Sequence, residues 1–172
     1  YRSMRSPQRA PQLSKSRFMA GLQCLKRLYL ECYDKGLADP IDEQQQAIFD
    51  TGNNVGKLAR GKFPHGRLIE EQYFELTQAI KSTESVMADT SIPAVFEGAF
   101  AFEKILIRAD ILKRNEDGSF DLIEVKSTTS VKTGHIPDVA IQLYVLEGLG
   151  IPVNKAYLMH INNTYIYKGG PY

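Results

Sequence analysis

The stretch that decides the fold reads Phe120-Asp121-Leu122-Ile123-Glu124-Val125-Lys126-Ser127. It is rich in strand-forming residues, so we predict a β-strand over 120–127. Because side chains alternate between the two faces of a strand, Glu124 and Lys126 share one face with Leu122, while Ile123 and Val125 point into a core. We therefore expect a carboxylate and an ammonium group side by side on one face of a central strand.

The strand before it, predicted over 105–113, contains Asp110, and a turn signal lies between the two strands at Asn115-Glu116-Asp117-Gly118. A three-residue loop with a left-handed Gly118, or a five-residue loop, sets Asp110 opposite Glu124 with Cβ atoms about 5 Å apart. A two-residue turn would instead turn Asp110 to the other face of the sheet. The loop length thus decides whether the two carboxylates meet.

The rest of the chain predicts a mixed α/β domain of the α+β type, in which helices come first and a strand meander then leads into a crossover helix. We predict one helix that begins after Ser14 or Ser16 and carries Phe18, Leu22, Leu25 and Tyr29 on one side. A second helix starts near Pro40 and ends by Gly61 or Pro64. Further elements are a helix over 77–87, a strand over 95–102, a helix from Pro137 to Gly148 or Gly150, and strands over 156–162 and 165–168.

Length and composition indicate a single globular domain, since the chain has 172 residues of which 43% are hydrophobic and 24% charged. Residues 1–12 are basic and punctuated by proline, and we expect them to form a mobile arm before a domain over 13–168. We also expect the chain to be a fragment of a longer protein, with further domains or protein partners outside it.

The formal net charge is only +1, so a nucleic-acid partner would have to be held by a local basic patch or by a bound metal. No apolar run reaches the roughly 20 residues that cross a bilayer, and no membrane association is expected. Two cysteines, Cys24 and Cys32, are too few for a disulfide framework. We expect a cytoplasmic protein with reduced thiols.

The predicted hairpin raises an electrostatic problem, because two ionised carboxylates at this distance repel each other. A divalent cation with oxygen ligands, such as Mg²⁺, would resolve it. Such an ion also polarises a phosphoryl oxygen and activates water, and Lys126 on the same face could orient that water or stabilise the charge of the transition state. The three residues together indicate phosphodiester hydrolysis.

Three short blocks carry a resemblance to a known family: Ile107-Arg108-Ala109-Asp110-Ile111-Leu112, Leu122-Ile123-Glu124-Val125-Lys126-Ser127 and Asp138-Val139-Ala140-Ile141-Gln142-Leu143-Tyr144. With an N-terminal block from Ser14 to Leu30, they resemble the RecB-like branch of the PD-(D/E)XK nuclease superfamily. That branch includes CRISPR-associated RecB-like exonucleases and uncharacterised bacterial proteins with the same domain. The resemblance implies a restriction-endonuclease-like core and a DNase activity, with an exonuclease favoured over an endonuclease.

Carried over residue by residue, the resemblance implies that Asp110, Glu124 and the backbone carbonyl of Val125 bind Mg²⁺ or Mn²⁺, and that Lys126 is the catalytic lysine. Gln142 matches a glutamine that positions substrate or water, although a polar helix position facing solvent is the alternative. Glu97 is a candidate third acid, or else a surface charge.

The sequence also departs from the family pattern. The histidine ligand that many relatives carry on the second helix aligns with Gly56, and His65 lies past the predicted end of that helix. A tyrosine expected four residues after Gln142 is replaced by Tyr144, which lies about 200° away on the helix and is either core or substrate-facing. With Cys24 and Cys32 as its only cysteines, which we expect to be buried apolar residues, the chain cannot hold a complete iron–sulfur cluster.

Three basic residues near the end of the second helix are predicted to contact DNA: Lys57, Arg60 and Lys62. Tyr144 is the fourth residue of the predicted nucleic-acid-binding set. A solvated charged surface is the alternative for the basic residues. For the whole chain, the alternative function is a degenerate nuclease fold that binds DNA or assembles with partners without cutting. The absent helix histidine favours that alternative, whereas the retention of Asp110, Glu124 and Lys126 favours the nuclease.

Overall fold

The strands in the middle of the chain form the centre of a mixed sheet in the computed structural model, which describes residues 12–166 and 168–169. The strands are β1 (Leu13–Ser14), β2 (Arg67–Leu68), β3 (Ala94–Phe102), β4 (Ile105–Arg114), β5 (Phe120–Lys126) and β6 (Val153–His160). The helices are α1 (Lys15–Gln23), α2 (Leu25–Tyr33), α3 (Glu43–Arg60), α4 (Leu76–Ala88) and α5 (His135–Gly148), with a 3₁₀ turn at Lys35–Leu37.

The sheet has the order β2-β3-β4-β5-β6, and β3, β4 and β5 are an antiparallel meander. Helix α5 then crosses over to β6, which pairs in parallel with β5. The predicted mixed α/β class, with N-terminal helices, a meander and a crossover helix, is confirmed, and at this coarse level it agrees with a restriction-endonuclease-like core.

Both faces of the sheet are apolar along the central strands. On one face, Leu112 and Leu122 are fully buried against α4 and α5, where Val145 and Leu146 complete the larger core cluster. The opposite face holds a smaller cluster of Ala59, Ala94, Phe96, Ile111 and Ile123, which lies beneath the end of α3. Asp110 and Glu124 are therefore embedded in strands that are buried on two sides.

The capping pattern at the start of α1 and α3 explains where these helices begin. The Ser14 hydroxyl accepts a hydrogen bond from the amide of Arg17, and the Asp42 carboxylate accepts one from Gln45. Pro40 therefore precedes the second predicted helix instead of opening it. No helix in the described residues is long and apolar enough to span a membrane.

Several predicted elements need correction. The first predicted helix is two helices, because Cys24 has an extended backbone (φ −164°, ψ 122°) that separates α1 from α2. Cys24 is exposed and Cys32 is partly exposed, so the prediction that both are buried is wrong. The predicted strand over 165–168 is not formed at its described residues: Tyr165, Ile166 and Lys168 lie outside any strand, and all three are exposed.

The two shortest strands were not predicted. Strand β1 pairs in parallel with the start of β4, and β2 pairs in parallel with β3. Of the expected N-terminal arm, only Gln12 is among the described residues, and it is exposed; the rest lies outside them.

Candidate functional site

The β4–β5 hairpin has the three-residue loop that aligns the two carboxylates. The Asn115 amide donates to the carbonyl of Ser119 at 2.8 Å, and the Gly118 amide donates to the carbonyl of Asn115 at 3.0 Å. Gly118 has a φ of +83°, the left-handed conformation that glycine adopts without strain. The strands pair in the predicted register, with Ile111 opposite Ile123, and one more step brings Asp110 level with Glu124.

At this step the two strands separate. The Val125 amide donates to Oδ2 of Asp110 at 2.7 Å, so a side chain takes the place of a backbone acceptor. Beyond Asp110, the neighbour of β4 on this side is β1, with Leu13 opposite Ile105. Helix α1 starts directly after β1, and its first residue, Lys15, reaches into the fork between the strands.

A third acid, Glu97, lies level with Asp110 and Glu124 on the next strand, and these three residues form a carboxylate row across the sheet. Gly98 pairs with Ala109 and Phe96 with Ile111, so Glu97 is level with Asp110 on the neighbouring strand. Glu97 has a φ of +54°, an uncommon conformation for a residue with a side chain. Its carboxylate lies 3.6 Å from Nη1 of Arg60. Burial raises the pKa of Glu97 even though Arg60 opposes the shift.

Glu124 is the centre of a buried network of charges and hydrogen bonds. It is 2% exposed. Lys15 Nζ donates to its Oε1 at 3.0 Å and to its Oε2 at 3.1 Å, Lys126 Nζ donates to Oε1 at 2.7 Å, and Gln142 Nε2 donates to Oε2 at 2.7 Å. A carboxylate offers about four acceptor positions, and all those of Glu124 are used.

Asp138, in the first turn of α5, completes this network. It pairs with the ammonium group of Lys126, and its Oδ1 lies 3.5 Å from Nζ of Lys15. Gln142, one turn later on α5, is fully buried and also donates to the backbone carbonyl of Asp138 at 3.0 Å. Gln142 therefore orients Glu124, and the alternative in which it faces solvent is wrong.

The environments of Asp110 and Glu124 shift their pKa values in opposite directions. Burial and the charge of Glu124 raise the pKa of Asp110 to about 7, despite Lys15 and the Val125 amide. Burial alone would raise the pKa of Glu124 as well, but Lys15 and Lys126 lower it to about 2. The two carboxyls are adjacent and titrate as a pair, so Glu124 keeps its charge while Asp110 takes up a proton as the pH falls through about 7.

Lys15 and Lys126 keep their positive charges because carboxylates surround them. Burial by itself lowers the pKa of a lysine, but the carboxylates around Lys15 and Lys126 outweigh it and raise the pKa of both above the ordinary value. The network therefore contains two permanent positive charges beside Asp110, Glu124 and Asp138.

A cavity of about 400 Å³ opens onto the carboxylate row. Its walls include Glu97, Asp110 and Glu124 from the sheet and a face of α3 opposite: Gly52, Asn53, Gly56, Lys57 and Arg60. Tyr73 stands at its edge, 78% exposed, with the guanidinium of Arg108 at 5.0 Å from its ring centre. The cavity thus has acidic groups at one wall and basic groups at the other.

Other predicted residues lie away from this cavity. Lys62 is exposed in the turn after α3, and His65, also exposed, follows it with a φ of +67°. The Tyr144 hydroxyl donates to Glu103 at 2.7 Å and its ring meets Phe102 edge-on. None of these three lines the cavity. Tyr144 is 46% exposed, which excludes the core position considered for it.

The donor set is composed of oxygen atoms, which suits Mg²⁺ or Mn²⁺. As the side chains stand, no three Asp, Glu, His or Cys residues in the described ranges are grouped so that they could hold a metal ion. The oxygens of Glu124 are bonded to lysine and glutamine instead. An ion at Asp110 and Glu124 would fit the chemistry of the donors, but it would have to replace the ammonium group of Lys15.

Comparison of the chain with models of known protein families gives no match. A search among curated proteins likewise finds no relative.

Lys15 and Asp138 are the site residues that sequence reasoning missed. A signal existed for Asp138, since it precedes Gln142 by four residues and so shares its face of the helix. Lys15 gave no such signal, because its contact with Glu124 spans 109 positions of the chain and depends on the pairing of β1 with β4.

Proposed function

We propose that this domain is a metal-dependent nuclease that hydrolyses phosphodiester bonds in DNA. The observation that carries this conclusion is the alignment of Asp110 with Glu124: both line a cavity with basic residues on its opposite wall, and Glu124 also bonds the Lys126 ammonium group. Acids, an ammonium group bonded to one of them, and open space beside the acids are the parts that phosphodiester hydrolysis requires.

In this mechanism Asp110, Glu124 and the Val125 carbonyl hold Mg²⁺ or Mn²⁺, and Glu97 is a further oxygen donor at the same cavity. The chemistry that the ion supplies when bound is polarisation of the phosphoryl oxygen and a lower pKa for the attacking water. Gln142 fixes the rotamer of Glu124 through its 2.7 Å hydrogen bond.

Lys126 is the group that orients water or stabilises the negative charge of the transition state. Its raised pKa keeps it protonated at neutral pH, so it acts as a fixed positive charge and a donor. Asp138 holds the ammonium group from the side of α5, which limits the positions that Lys126 can take. A positioned cation of this kind is worth most where water is partly excluded.

Lys57 and Arg60 supply the contact with the DNA backbone. Both line the cavity across from the carboxylates, so a phosphate between them and the acids would be attracted from the α3 side. With a chain net charge of only +1, this local pair would provide most of the attraction for DNA near the site.

The experiment compares wild type with Glu124→Gln on end-labelled single-stranded and double-stranded DNA, with Mn²⁺, with Mg²⁺ and with EDTA. We expect cleavage by wild type with either metal, none with EDTA, and a loss of at least about 100-fold in Glu124→Gln. Glu116→Gln, in the exposed hairpin loop, is the matched control and should cut normally. A wild type inactive on both DNAs, or an active Glu124→Gln, would contradict the proposal.

A module that binds DNA without cutting it is the second candidate. It is favoured by the saturated acceptors of Glu124 and by Gly56, which stands on α3 where many of the RecB-like nucleases that the sequence resembles carry a histidine ligand. Calorimetry separates the two, since the nuclease takes up Mn²⁺ in wild type and loses that uptake in Asp110→Asn, whereas the non-catalytic module binds DNA and takes up no Mn²⁺.

A further inference from the structure

The contacts of Lys15 give it a role that the proposed nuclease alone does not require. Its ammonium group touches both oxygens of Glu124 and lies near Asp138, and Lys15 lines a cavity together with Asp110 at the fork between β4 and β5. It is therefore a monovalent cation at the position where two acids are expected to share a divalent one.

We propose that Lys15 is an internal counter-ion that fills the cation position in the metal-free protein and withdraws from Glu124 when a divalent ion binds. The inference rests on the proposed function, because it concerns the same carboxylates. Its consequence is that Lys15 competes with the metal, and so sets the metal concentration at which the site fills.

The charge balance explains why such a counter-ion is needed. Without Lys15, the buried Glu124 and Asp110 would face each other with only Lys126 and the Val125 amide as compensation. Two buried like charges cost stability unless an opposite charge is near them. Lys15 lowers that cost in the absence of metal, and a divalent ion would lower it in its presence.

The structure also provides room for the withdrawal. The side chain of Lys15 is 24% exposed, so it is not locked in the core. A second cavity of about 200 Å³ is lined by Lys15, Glu97 and Asp110 together with Ser14 and Arg108. The ammonium group can therefore leave Glu124 by a change of rotamer, while its backbone stays at the start of α1.

Lys126 does not fit this role. It bonds one oxygen of Glu124 and is held at the same time by Asp138, whereas Lys15 spans both oxygens. The two lysines should thus respond differently to metal, and Lys126 should keep its partner on α5. This difference makes Lys126 an internal reference for the test.

The test measures Mn²⁺ binding at pH 8 by calorimetry in wild type, Lys15→Met and Lys15→Arg, with Lys81→Met on the exposed side of α4 as the control for net charge. Removal of a positive charge that competes for the same carboxylates should tighten Mn²⁺ binding about tenfold in Lys15→Met. Lys15→Arg retains the charge and should bind like wild type, as should Lys81→Met.

A second readout follows the lysine itself. The ammonium nitrogen resonance of Lys15 in ¹⁵N-labelled protein should be protected from exchange without metal and lose that protection on addition of Mg²⁺, while the resonance of Lys126 keeps it. This change reports on the side chain directly and would not follow from a purely structural role of Lys15.

The outcomes separate the two proposals. If wild type and Lys15→Met bind Mn²⁺ equally well, or if the Lys15 resonance stays protected at saturating Mg²⁺, the counter-ion role is wrong and the metal site stands. If Lys15→Arg tightens binding as much as Lys15→Met, charge is not the cause and the role is also wrong. If neither wild type nor Lys15→Met takes up Mn²⁺, both proposals are overturned.

Discussion

The amide of Val125 donates a hydrogen bond to Oδ2 of Asp110 at 2.7 Å, and this bond marks the point where β4 and β5 part. The carboxyl group of Asp110 does two things there: it satisfies a backbone donor, and it lines the cavity beside Glu124. The fork that results is occupied by the start of α1. Fold and site therefore depend on the same side chain.

Asp110→Asn is expected to change the pH dependence of stability in the metal-free protein. The pKa of Asp110 is raised to about 7 by burial and by Glu124, whereas an unfolded aspartate has a pKa of about 4. Between these values the folded state binds the extra proton, so the free energy of unfolding falls as the pH rises. Asparagine removes this fall and should stabilise the protein by on the order of 2 kcal/mol at pH 8.

Urea unfolding in EDTA from pH 3 to pH 9 measures this effect. The contribution of Glu124 lies in a different window, since its lowered pKa stabilises the fold above about pH 4.5 and that stability is lost as the pH falls towards 2. Wild type and Asp110→Asn should both show this loss of stability at acid pH. Parallel curves for wild type and Asp110→Asn between pH 4 and pH 8 would show that Asp110 is not held neutral by its surroundings.

Lys126→Met should abolish most cleavage while the metal still binds. The ammonium group is removed from Glu124 and Asp138, but the oxygen donors for the ion remain. We expect the cleavage rate with saturating Mn²⁺ to fall by about 100-fold or more, without weaker Mn²⁺ binding by calorimetry. Lys81→Met is the control, and a variant that keeps more than about a tenth of the wild-type rate would rule out a catalytic role.

The four residues predicted to contact DNA should fall into two groups. Lys57 and Arg60 line the cavity, whereas Lys62 and Tyr144 do not. Removal of one phosphate contact lowers the salt dependence of binding by about one unit of slope, so Lys57→Ala and Arg60→Ala should each show this loss. Fluorescence anisotropy in EDTA at several salt concentrations measures the slope. Equal losses in Lys62→Ala and Tyr144→Ala would place the DNA on a different surface.

The hairpin register was predictable because its determinants are local. Gly118 fixes a left-handed loop position, and Asn115 closes the loop with Ser119, so the alternation of side chains carries the register on to Asp110 and Glu124. The apolar residues of the central strands likewise predict which faces of these strands are buried. These parts of the fold follow from neighbours within about 20 residues.

Contacts across long stretches of chain were not predictable in this way. Strand β1 has two residues, too few for an alternating pattern, and yet it positions Lys15 next to Glu124. The break at Cys24 was missed because the apolar spacing of Phe18, Leu22, Leu25 and Tyr29 continues across it. Apolar spacing does not record where the backbone stops being helical. Nor does it identify core residues here, since Leu22, Leu25 and Tyr29 are exposed.

Gly56 is a position at which a histidine ligand can be introduced to test the proposed metal site. It lies inside α3, where glycine costs about 1 kcal/mol relative to alanine, and it lines the cavity with the acids. A Cβ added there would meet no atom within 4 Å. A larger side chain at this position therefore has space in front of it.

Gly56→His should add an imidazole ligand to the carboxylate row. We expect Mn²⁺ to bind about tenfold more tightly above pH 7, with the gain lost as the pH falls through about 6.5 and the imidazole is protonated. Without metal, the variant should be no less stable than wild type, since a helical glycine is replaced.

Gly56→Phe tests for an effect of bulk, and Gly36→His, another open position but outside the cavity, tests for an unspecific effect of histidine. Calorimetry at pH 5.5 and pH 8 measures the affinity. Equal Mn²⁺ affinity in Gly56→His and Gly56→Phe at pH 8 would mean that α3 does not face the metal, and that the carboxylates bind it from another side.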